Sequence, residues 1–332
     1  GSSGSGGSGG SSGSGGSSGG GDGGPARGFP SGWLYTSASK IYVSNGTSGT
    51  VWMGRGVNMD DIYLCGYNST LSMTNAESTL TTIVSGLMAW KPTFVRISLS
   101  MSSNPTVSSW LSNAAQYKTP MTNVINAIGA NPNVYVLVTL RSDASMVETD
   151  KGNEATYIPQ AGTDATYVAL VDSFANANFV MFGLCNEPGT ITPANLVPVM
   201  SHAVSVIRAE EDRLKVPHHI VSVQGTVWTS NIGFYSTTPL PYDNVVYEVH
   251  GYPPAVISYT YSNIPVILGE YGSLTNTNAF YAGVEAKQIP NLAWDFEPYS
   301  NCAPDLLNVT TSAINLTSTN WGMTVRSYLT SH

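Results

Sequence analysis

Two glutamates lie at the ends of short apolar runs in this chain. Glu187 closes the run Phe-Gly-Leu-Cys-Asn-Glu-Pro at 182–188, and Glu270 lies in Ile-Pro-Val-Ile-Leu-Gly-Glu-Tyr-Gly at 264–272. Such runs predict buried strands, and the carboxyl end of a parallel strand delivers its last residue to the rim where barrel proteins carry out chemistry. Two carboxylates at one rim can cleave a glycosidic bond, because one protonates the leaving oxygen while the other acts as nucleophile or general base.

The chain around these glutamates alternates between short apolar runs and helical patterns. Eight strands are predicted, at 54–59, 94–100, 134–140, 179–185, 219–224, 245–249, 266–269 and 292–295. The clearest helical patterns lie between them, at 76–90, 121–130, 165–177 and 193–213, whereas 227–242 is typical of a loop. Eight apolar strands that mostly lack period-two alternation predict an α/β fold, a (β/α)8 TIM barrel. A doubly wound open sheet is disfavoured, because no Gly-x-Gly-x-x-Gly follows the first strand.

The amino-terminal segment differs sharply in composition from the rest. Residues 1–24 are almost wholly Gly and Ser, which predicts a flexible, disordered linker over 1–27 and one catalytic domain over 28–332. Such a linker usually tethers a module, so an upstream carbohydrate-binding module is expected, with an untethered tail as the alternative. The runs 40–43 and 50–53 flank Asn45-Gly46, which predicts a short hairpin before the barrel.

Charge is scarce, which narrows the classes of partner. Charged residues make up 10% of the chain, against roughly a quarter in an ordinary domain, and the net charge is −8. A surface built from Ser, Thr, Asn, Gln and Tyr can hydrogen-bond neutral hydroxylated ligands. The chain has no cluster of Lys and Arg, which excludes a nucleic-acid partner. It also has no long apolar segment, which excludes a membrane-spanning helix. No signal peptide is visible, as expected of the mature form of an exported protein.

Further polar residues fall at the predicted strand ends, in a defined order. They are Arg96 on the second strand, Asn186 and Glu187 on the fourth, His250 and Tyr252 after the sixth, Glu270 on the seventh and Trp294 on the eighth. Asn-Glu-Pro, His-x-Tyr, Gly-Glu-Tyr-Gly and a late Trp, in this order, resemble glycoside hydrolase family 5 and its wider clan A of (β/α)8 retaining glycosidases. The resemblance covers about residues 29–330.

The resemblance implies roles for the carboxylates. Glu187 matches the acid/base and Glu270 the nucleophile, while Asn186 matches the residue that bonds the 2-hydroxyl of the substrate. Burial and the negative charge of Glu270 are expected to raise the pKa of Glu187, which must hold a proton near neutral pH.

The same resemblance implies supporting roles for four more residues. Arg96 and the Tyr252 hydroxyl would keep the nucleophile ionised, and His250 would flank the carboxylates. Trp294 would form the aromatic floor of the sugar site on the non-reducing side of the bond. No metal or cofactor is expected, because histidines are few and the pair His218-His219 precedes a strand without a carboxylate at ligand spacing.

One segment departs from the family pattern. Where the family usually has a histidine at the end of the third strand, this chain has Leu-Arg-Ser-Asp-Ala at 140–144, so Arg141 or Asp143 would take its place. Asp60 and Asp61 follow the first strand and are candidates for the cleft. Asp295 and Glu297 are interpreted as rim charges.

Together these features predict a secreted, monomeric, retaining hydrolase of β-linked oligo- or polysaccharides. Among the possible activities, an endo-β-1,4-glucanase (cellulase) is the first choice. Long loops at 63–75, 141–162 and 298–320 would build subsites along an open cleft. A β-mannanase, a xyloglucanase, a mixed-linkage glucanase and an exo-β-glucosidase remain alternatives on the same barrel. A catalytically silent carbohydrate-binding barrel is the alternative from another class.

The three cysteines are not spaced for metal binding. Cys185 is predicted to be a buried thiol. Cys65 and Cys302, in predicted rim loops, would be able to form a disulfide in an exported protein, and the sequence leaves the pairing open.

Overall fold

Eight parallel strands close into a barrel in the computed structural model, which describes residues 28–63, 75–101, 109–152, 156–252, 261, 263–299, 303–310 and 314–332. The barrel strands, in order around the barrel, are β4 (Arg55–Asp60), β5 (Phe94–Leu99), β6 (Tyr135–Leu140), β9 (Val180–Gly183), β10 (Val221–Gln224), β11 (Val245–Gly251), β12 (Val266–Tyr271) and β13 (Asn291–Ala293). Strand β13 pairs with β4 and closes the ring. Each corresponds to a predicted strand, so the (β/α)8 prediction is confirmed.

Helices lie between the strands. Their bounds are α1 (Ala76–Met88), α2 (Thr119–Gly129), α3 (Asp164–Phe174), α4 (Pro193–Leu214), α5 (Gly233–Thr237), α6 (Thr277–Lys287) and α7 (Asn320–Ser331). Helix α1 shows why they form, since Leu80, Ile83, Val84 and Leu87 recur at helical spacing and are all buried. The short α5 lies in a segment predicted to be a loop, because five residues carry too little periodicity to be detected. None of the described helices has both the length and the apolar character needed to span a bilayer.

The barrel interior has an apolar floor near the amino-terminal ends of the strands. Inward-facing residues of six strands form it, and they are Phe94, Leu137, Met181, Val246, Ile267 and Leu292. Because side chains alternate along a strand, the residue two positions after each also faces inward. On β5 and β11 those next residues are Arg96 and Glu248, so polar groups begin directly above the floor.

A small antiparallel sheet covers the amino-terminal end of the barrel. The predicted hairpin is present as β2 (Lys40–Ser44) and β3 (Gly49–Val51), and β1 (Leu34–Ser37) adds a third strand that the sequence did not reveal. Trp52 packs edge-on against Phe94 and Tyr135, with ring centroids 4.9 and 5.4 Å apart. The sheet therefore seals the apolar floor. A two-residue pair, β7 (Val147–Glu148) and β8 (Tyr157–Ile158), lies in the loop after β6.

Some sequence predictions fall outside the described residues. The linker at 1–27 does, as do Cys65 and Cys302, so the disulfide and the domain boundary stay predictions. Cys185 is buried, as predicted.

Candidate active site

Arg96, in the middle of β5, is the hub of the barrel mouth. Its side chain is fully buried, and its Nη1 donates to Glu270 Oε1 at 2.7 Å and to Asn58 Oδ1 at 2.9 Å. Its Nη2 donates to Asn186 Oδ1 at 2.6 Å and its Nε to Thr139 Oγ1 at 3.0 Å. A planar guanidinium can hold several acceptors in fixed directions, so this one residue sets the positions of groups from four other strands or strand ends.

Glu270, on β12, is held from two sides. Arg96 donates to one carboxyl oxygen, and the Tyr252 hydroxyl donates to the other at 2.8 Å. Burial and the charge of Glu270 raise the pKa of Tyr252 well above its ordinary value, so the phenol remains a donor. The guanidinium and the phenol therefore fix the orientation of this carboxylate, as a positioned nucleophile requires.

Glu187 sits in a strained turn after β9. Its φ is +49°, in the left-handed region that non-glycine residues seldom adopt. The Glu187 amide donates to Gln224 Oε1 at 2.5 Å, and Thr229 Oγ1 donates to the same oxygen at 3.0 Å. Strain of this kind persists where surrounding bonds enforce it, typically at functional sites.

His250 links the carboxylates. Its Nδ1 lies 2.7 Å from Glu187 Oε1 and 3.5 Å from Glu270 Oε2, while its Nε2 lies 2.9 Å from Glu248 Oε1. Burial lowers the pKa of His250, but the charge of Glu270 and the bonds to Glu187 and Glu248 outweigh it and raise the pKa to about 9. The ring is therefore protonated at neutral pH and donates from both nitrogens.

The expected rise in the pKa of Glu187 is wrong for the resting site. Burial does raise it, but the hydrogen bond and charge of His250, with the charges of Arg141 and Arg96, lower the pKa of Glu187 below its ordinary value. The sequence predicted that His250 flanks the carboxylates, but it did not predict the direct contact between His250 and Glu187. The proton expected on Glu187 resides on His250.

One contributor to the site, Glu248, was not predicted from the sequence. Glu248 accepts from Ser222 Oγ at 2.6 Å and lies 3.3 Å from Arg96 Nε. Although burial raises the pKa of Glu248, Arg96 and His250 lower it to about 2. The sequence does contain a pattern that could have identified Glu248. Polar residues occupy alternate positions of apolar strands, as do Ser222 and Gln224, or Glu248 and His250.

The remaining candidates are divided between the site and the scaffold. Trp294 is buried beside the site, and the Arg141 guanidinium carbon lies 5.4 Å from its ring centre. Asp143 instead accepts from Ser145 in its own loop and from Thr166 on α3. The structure thus favours Arg141 over Asp143 at the position where the family has a histidine.

The four other acidic candidates are all buried. Asp295 and Glu297 are therefore not rim charges, because both lie inside the fold at 0% exposure. Asp61 accepts from the Tyr117 hydroxyl and from the Ser100 amide, so it serves the scaffold. Asp60 lies beside Asp295 and faces the barrel interior.

A cation would find three ligand groups here. One donor atom each from Glu187, His250 and Glu270 lies within 4.8 Å of the others. Both His250 nitrogens are already engaged by carboxylates, so a metal would have to displace those bonds. That the reaction needs no metal stays a prediction.

The arrangement suits acid–base and nucleophilic chemistry at one carbon. A Glu187 oxygen and a Glu270 oxygen lie within 4.8 Å of each other. The Glu187 carboxylate lies beside a protonated imidazole, and the Glu270 carboxylate lies beside a guanidinium and a phenol. One group can thus deliver a proton while the other attacks.

The protein-family model described as "Cellulase (glycosyl hydrolase family 5)" matches residues 54–300 of this chain. No curated protein sequence matches the chain at a significant level. Among solved structures, a β-glucanase from Saccharophagus degradans is 15% identical with a TM-score of 0.70, covering 90% of this chain and 93% of that one.

Two other solved structures share the fold at a similarly low sequence identity. The catalytic domain of an endoglucanase from Thermobifida fusca, in complex with cellotetraose, is 15% identical with a TM-score of 0.65, covering 90% of this chain and 97% of that one. A β-mannanase from Streptomyces thermolilacinus, with mannohexaose, is 16% identical with a TM-score of 0.64, covering 89% and 93%.

Proposed function

Since this chain belongs to the cellulase family of glycosyl hydrolases, family 5, we propose that it is a retaining endo-β-1,4-glucanase. The observation that carries the proposal is the carboxylate pair, with oxygens of Glu187 and Glu270 within 4.8 Å. Retaining enzymes hold their two carboxyl groups about 5 Å apart, whereas inverting enzymes leave room for a water molecule at about 6.5–9.5 Å.

In the first step Glu270 attacks the anomeric carbon and the bond to the leaving oxygen breaks. The leaving oxygen takes a proton from Glu187, which receives it from His250 Nδ1 along their 2.7 Å hydrogen bond. His250 becomes neutral and keeps its other N–H on Glu248. The hydrogen bonds from Arg96 and the Tyr252 hydroxyl hold the Glu270 carboxyl group in line until the covalent bond forms.

In the second step Glu187 acts as base. It removes a proton from water, the oxygen attacks the anomeric carbon from the face that the leaving group vacated, and Glu270 departs as a carboxylate. Glu187 passes the proton back to His250 Nδ1 along their hydrogen bond, which restores the resting site. Two inversions give net retention. Asn186, oriented by Arg96 at 2.6 Å, would bond the 2-hydroxyl in both steps.

The alkaline limb of activity should report the proton shared by His250 and Glu187. Because the pKa of His250 is raised to about 9, the proton is present below that pH and lost above it. We expect kcat/KM for cello-oligosaccharides, whose leaving group is poor, to fall as pH rises through about 9. An aryl cellobioside with an activated leaving group should lack this limb, since it departs without protonation. A limb near pH 6.5 on the oligosaccharide would contradict the assignment.

The choice of a β-1,4-glucan rests on two considerations. The similar structures include a glucanase and an endoglucanase solved with cellotetraose, although a mannanase also shares the fold. Trp228, 40% exposed, follows β10 and donates its amide to Pro188 O at 3.1 Å, beside the Glu187 turn. A flat aromatic ring there would stack a sugar on the leaving-group side of the bond.

Substrate and endo action are tested together on a polymer panel. We expect carboxymethylcellulose to lose viscosity early, with oligosaccharides of mixed length as products, and mannan and xyloglucan to react at least about tenfold more slowly. Mannan as the best substrate would replace the glucanase assignment, and glucose alone as product would indicate an exo-β-glucosidase.

A catalytically silent binding barrel is the alternative from another class, and the intact carboxylate pair disfavours it. Secretion, a monomeric state and an upstream carbohydrate-binding module joined through residues 1–27 complete the proposal. Their support is the sparsely charged, hydroxyl-rich composition and the Gly/Ser segment.

A further inference from the structure

The turn that carries Glu187 has a backbone conformation that its own sequence disfavours. The φ of Glu187 is +49°, in the left-handed region, and the next residue is Pro188. A proline ordinarily restricts the residue before it to extended conformations. Local preference alone would therefore turn the Glu187 carboxyl group away from its present direction, so contacts from outside the turn must hold it.

Two rim loops hold the residues that follow Glu187. From the loop after β6, Thr149 Oγ1 accepts from the Gly189 amide at 2.9 Å. From the loop after β10, the Trp228 amide donates to Pro188 O at 3.1 Å. These bonds fix the chain beyond the turn, but they do not reach the amide of Glu187 itself.

The Glu187 amide is held by the side chain of Gln224, the last residue of β10. Gln224 Oε1 accepts from this amide at 2.5 Å and from Thr229 Oγ1 at 3.0 Å. Because a main-chain N–H can only donate, the side-chain atom that faces it must be the oxygen. Gln224 is fully buried, and its Nε2 meets no acceptor within the described part of the chain. A buried amide with an unmet donor is rare in native proteins and indicates a functional reason for its presence.

The second donor to Gln224, Thr229, belongs to another strained turn. Residues 227–229 have φ values of +57°, +50° and +61°. Three consecutive non-glycine residues in the left-handed region persist only where the surrounding structure enforces them. This turn places the Thr229 hydroxyl on Gln224 Oε1 and the Thr229 carbonyl on the His250 amide, at 3.2 Å. Gln224 and Thr229 therefore connect the main chain of Glu187 to the main chain of His250, its proton partner.

We propose that Gln224 is a positioning residue for the acid/base, which holds the Glu187 main chain so that its carboxyl group faces His250 Nδ1 and the leaving oxygen. The role rests on the proposed glycosidase function, and it needs no contact between Gln224 and the substrate. Its effect is selective. Gln224 contributes to the steps in which Glu187 moves a proton, and not to the attack by Glu270.

Gln224→Met tests this role, because methionine has a similar length but lacks the amide oxygen. On cello-oligosaccharides, whose leaving group needs a proton, kcat/KM should fall about 10- to 100-fold, as expected for a displaced acid. On an activated aryl cellobioside kcat/KM should be nearly unchanged, because this leaving group departs without protonation. The kcat for the aryl substrate should fall, since a displaced base slows the second step, and KM should fall with it. Added azide, which needs no base, should restore this kcat.

Tyr235→Phe is the matched control variant. Tyr235 is equally buried, and its hydroxyl donates to the main-chain oxygen of Gln224 at 3.3 Å, so the change disturbs the same residue without touching Oε1. This variant should keep the wild-type ratio of kcat/KM between the two substrates. The ratio does not depend on the fraction of folded enzyme, so a general loss of stability cannot imitate the expected change. Thr229→Val, which removes one of the two donors to Oε1, should change the ratio in the same direction as Gln224→Met, but by less.

Failure of the positioning role is separable from failure of the glycosidase function. If the wild type hydrolyses both substrates and Gln224→Met keeps the wild-type ratio between them, the positioning role is wrong and the glycosidase function stands. A wild type that hydrolyses neither substrate would instead overturn the glycosidase function.

A second measurement of the positioning role needs no turnover. Burial lowers the pKa of His250, but the charge of Glu270 and the bonds to Glu187 and Glu248 raise it to about 9. Displacement of Glu187 should therefore lower the pKa of His250 in Gln224→Met, as measured by NMR of the ring nitrogens, and the control variant should show no change. An unchanged pKa of His250 in Gln224→Met would overturn the positioning role even if hydrolysis were absent.

Discussion

Replacing Glu270 by Ala should abolish hydrolysis of every β-glycoside, so that kcat falls by at least about 10⁴-fold. The change removes the atom that forms the covalent bond, and with it the acceptor of both the Arg96 guanidinium and the Tyr252 phenol. The measurement is steady-state turnover of both an oligosaccharide and an activated aryl cellobioside.

Glu187→Ala is the matched comparison, because its loss should depend on the leaving group. On oligosaccharides kcat should fall about 10²- to 10⁴-fold. An activated aryl cellobioside should still form the glycosyl-enzyme, giving a burst and then slow turnover, since no base activates water.

Added azide distinguishes the two roles by stereochemistry. Azide needs no base, so it should restore turnover to Glu187→Ala and yield a β-glycosyl azide. An α-azide from that variant would mean that the two assignments are exchanged. Wild-type activity in both variants would show that these carboxylates are not the catalytic pair.

Arg96→Met should lower both stability and activity. The substitution leaves Glu270 and Glu248 buried beside an apolar side chain, and breaking a buried charge pair typically costs about 3–5 kcal/mol in the free energy of unfolding. Because Glu270 and Asn186 also lose their common donor, kcat/KM should fall by at least about 10²-fold. Urea denaturation at pH 7 and steady-state kinetics measure the two effects.

Arg326→Met is the control, because Arg326 is exposed on α7 and its loss should change stability by no more than about 0.5 kcal/mol. The double variant Arg96→Met with Glu270→Gln should recover part of the lost stability, since it removes one uncompensated charge. An Arg96→Met protein as stable as the wild type would contradict the central role of this guanidinium.

The barrel was predictable because eight apolar runs are a direct consequence of burying strands on both faces. The rim positions of Glu187 and Glu270 followed from the turns after their strands. Strand β1 was not predictable, because Leu34–Ser37 lacks a turn signal and gains its place only by pairing with β2.

The electrostatics of the site were less accessible from sequence. The pKa of Glu187 depends on a 2.7 Å contact with His250, and sequence order does not determine side-chain distances. Glu248 was missed because a glutamate within a short strand has no distinctive neighbours in sequence. Only the alternation of polar residues on apolar strands pointed to a charged barrel interior.

The apolar floor sealed by Trp52 has a consequence for the charges above it. Water can approach Arg96, Glu248 and His250 only from the barrel mouth, so mobile counter-ions have no path to them from below. Fields among buried charges are screened far less by salt than those at a surface. The electrostatic field that Arg96, Glu248 and His250 produce in the barrel therefore changes little between a dilute medium and a saline one.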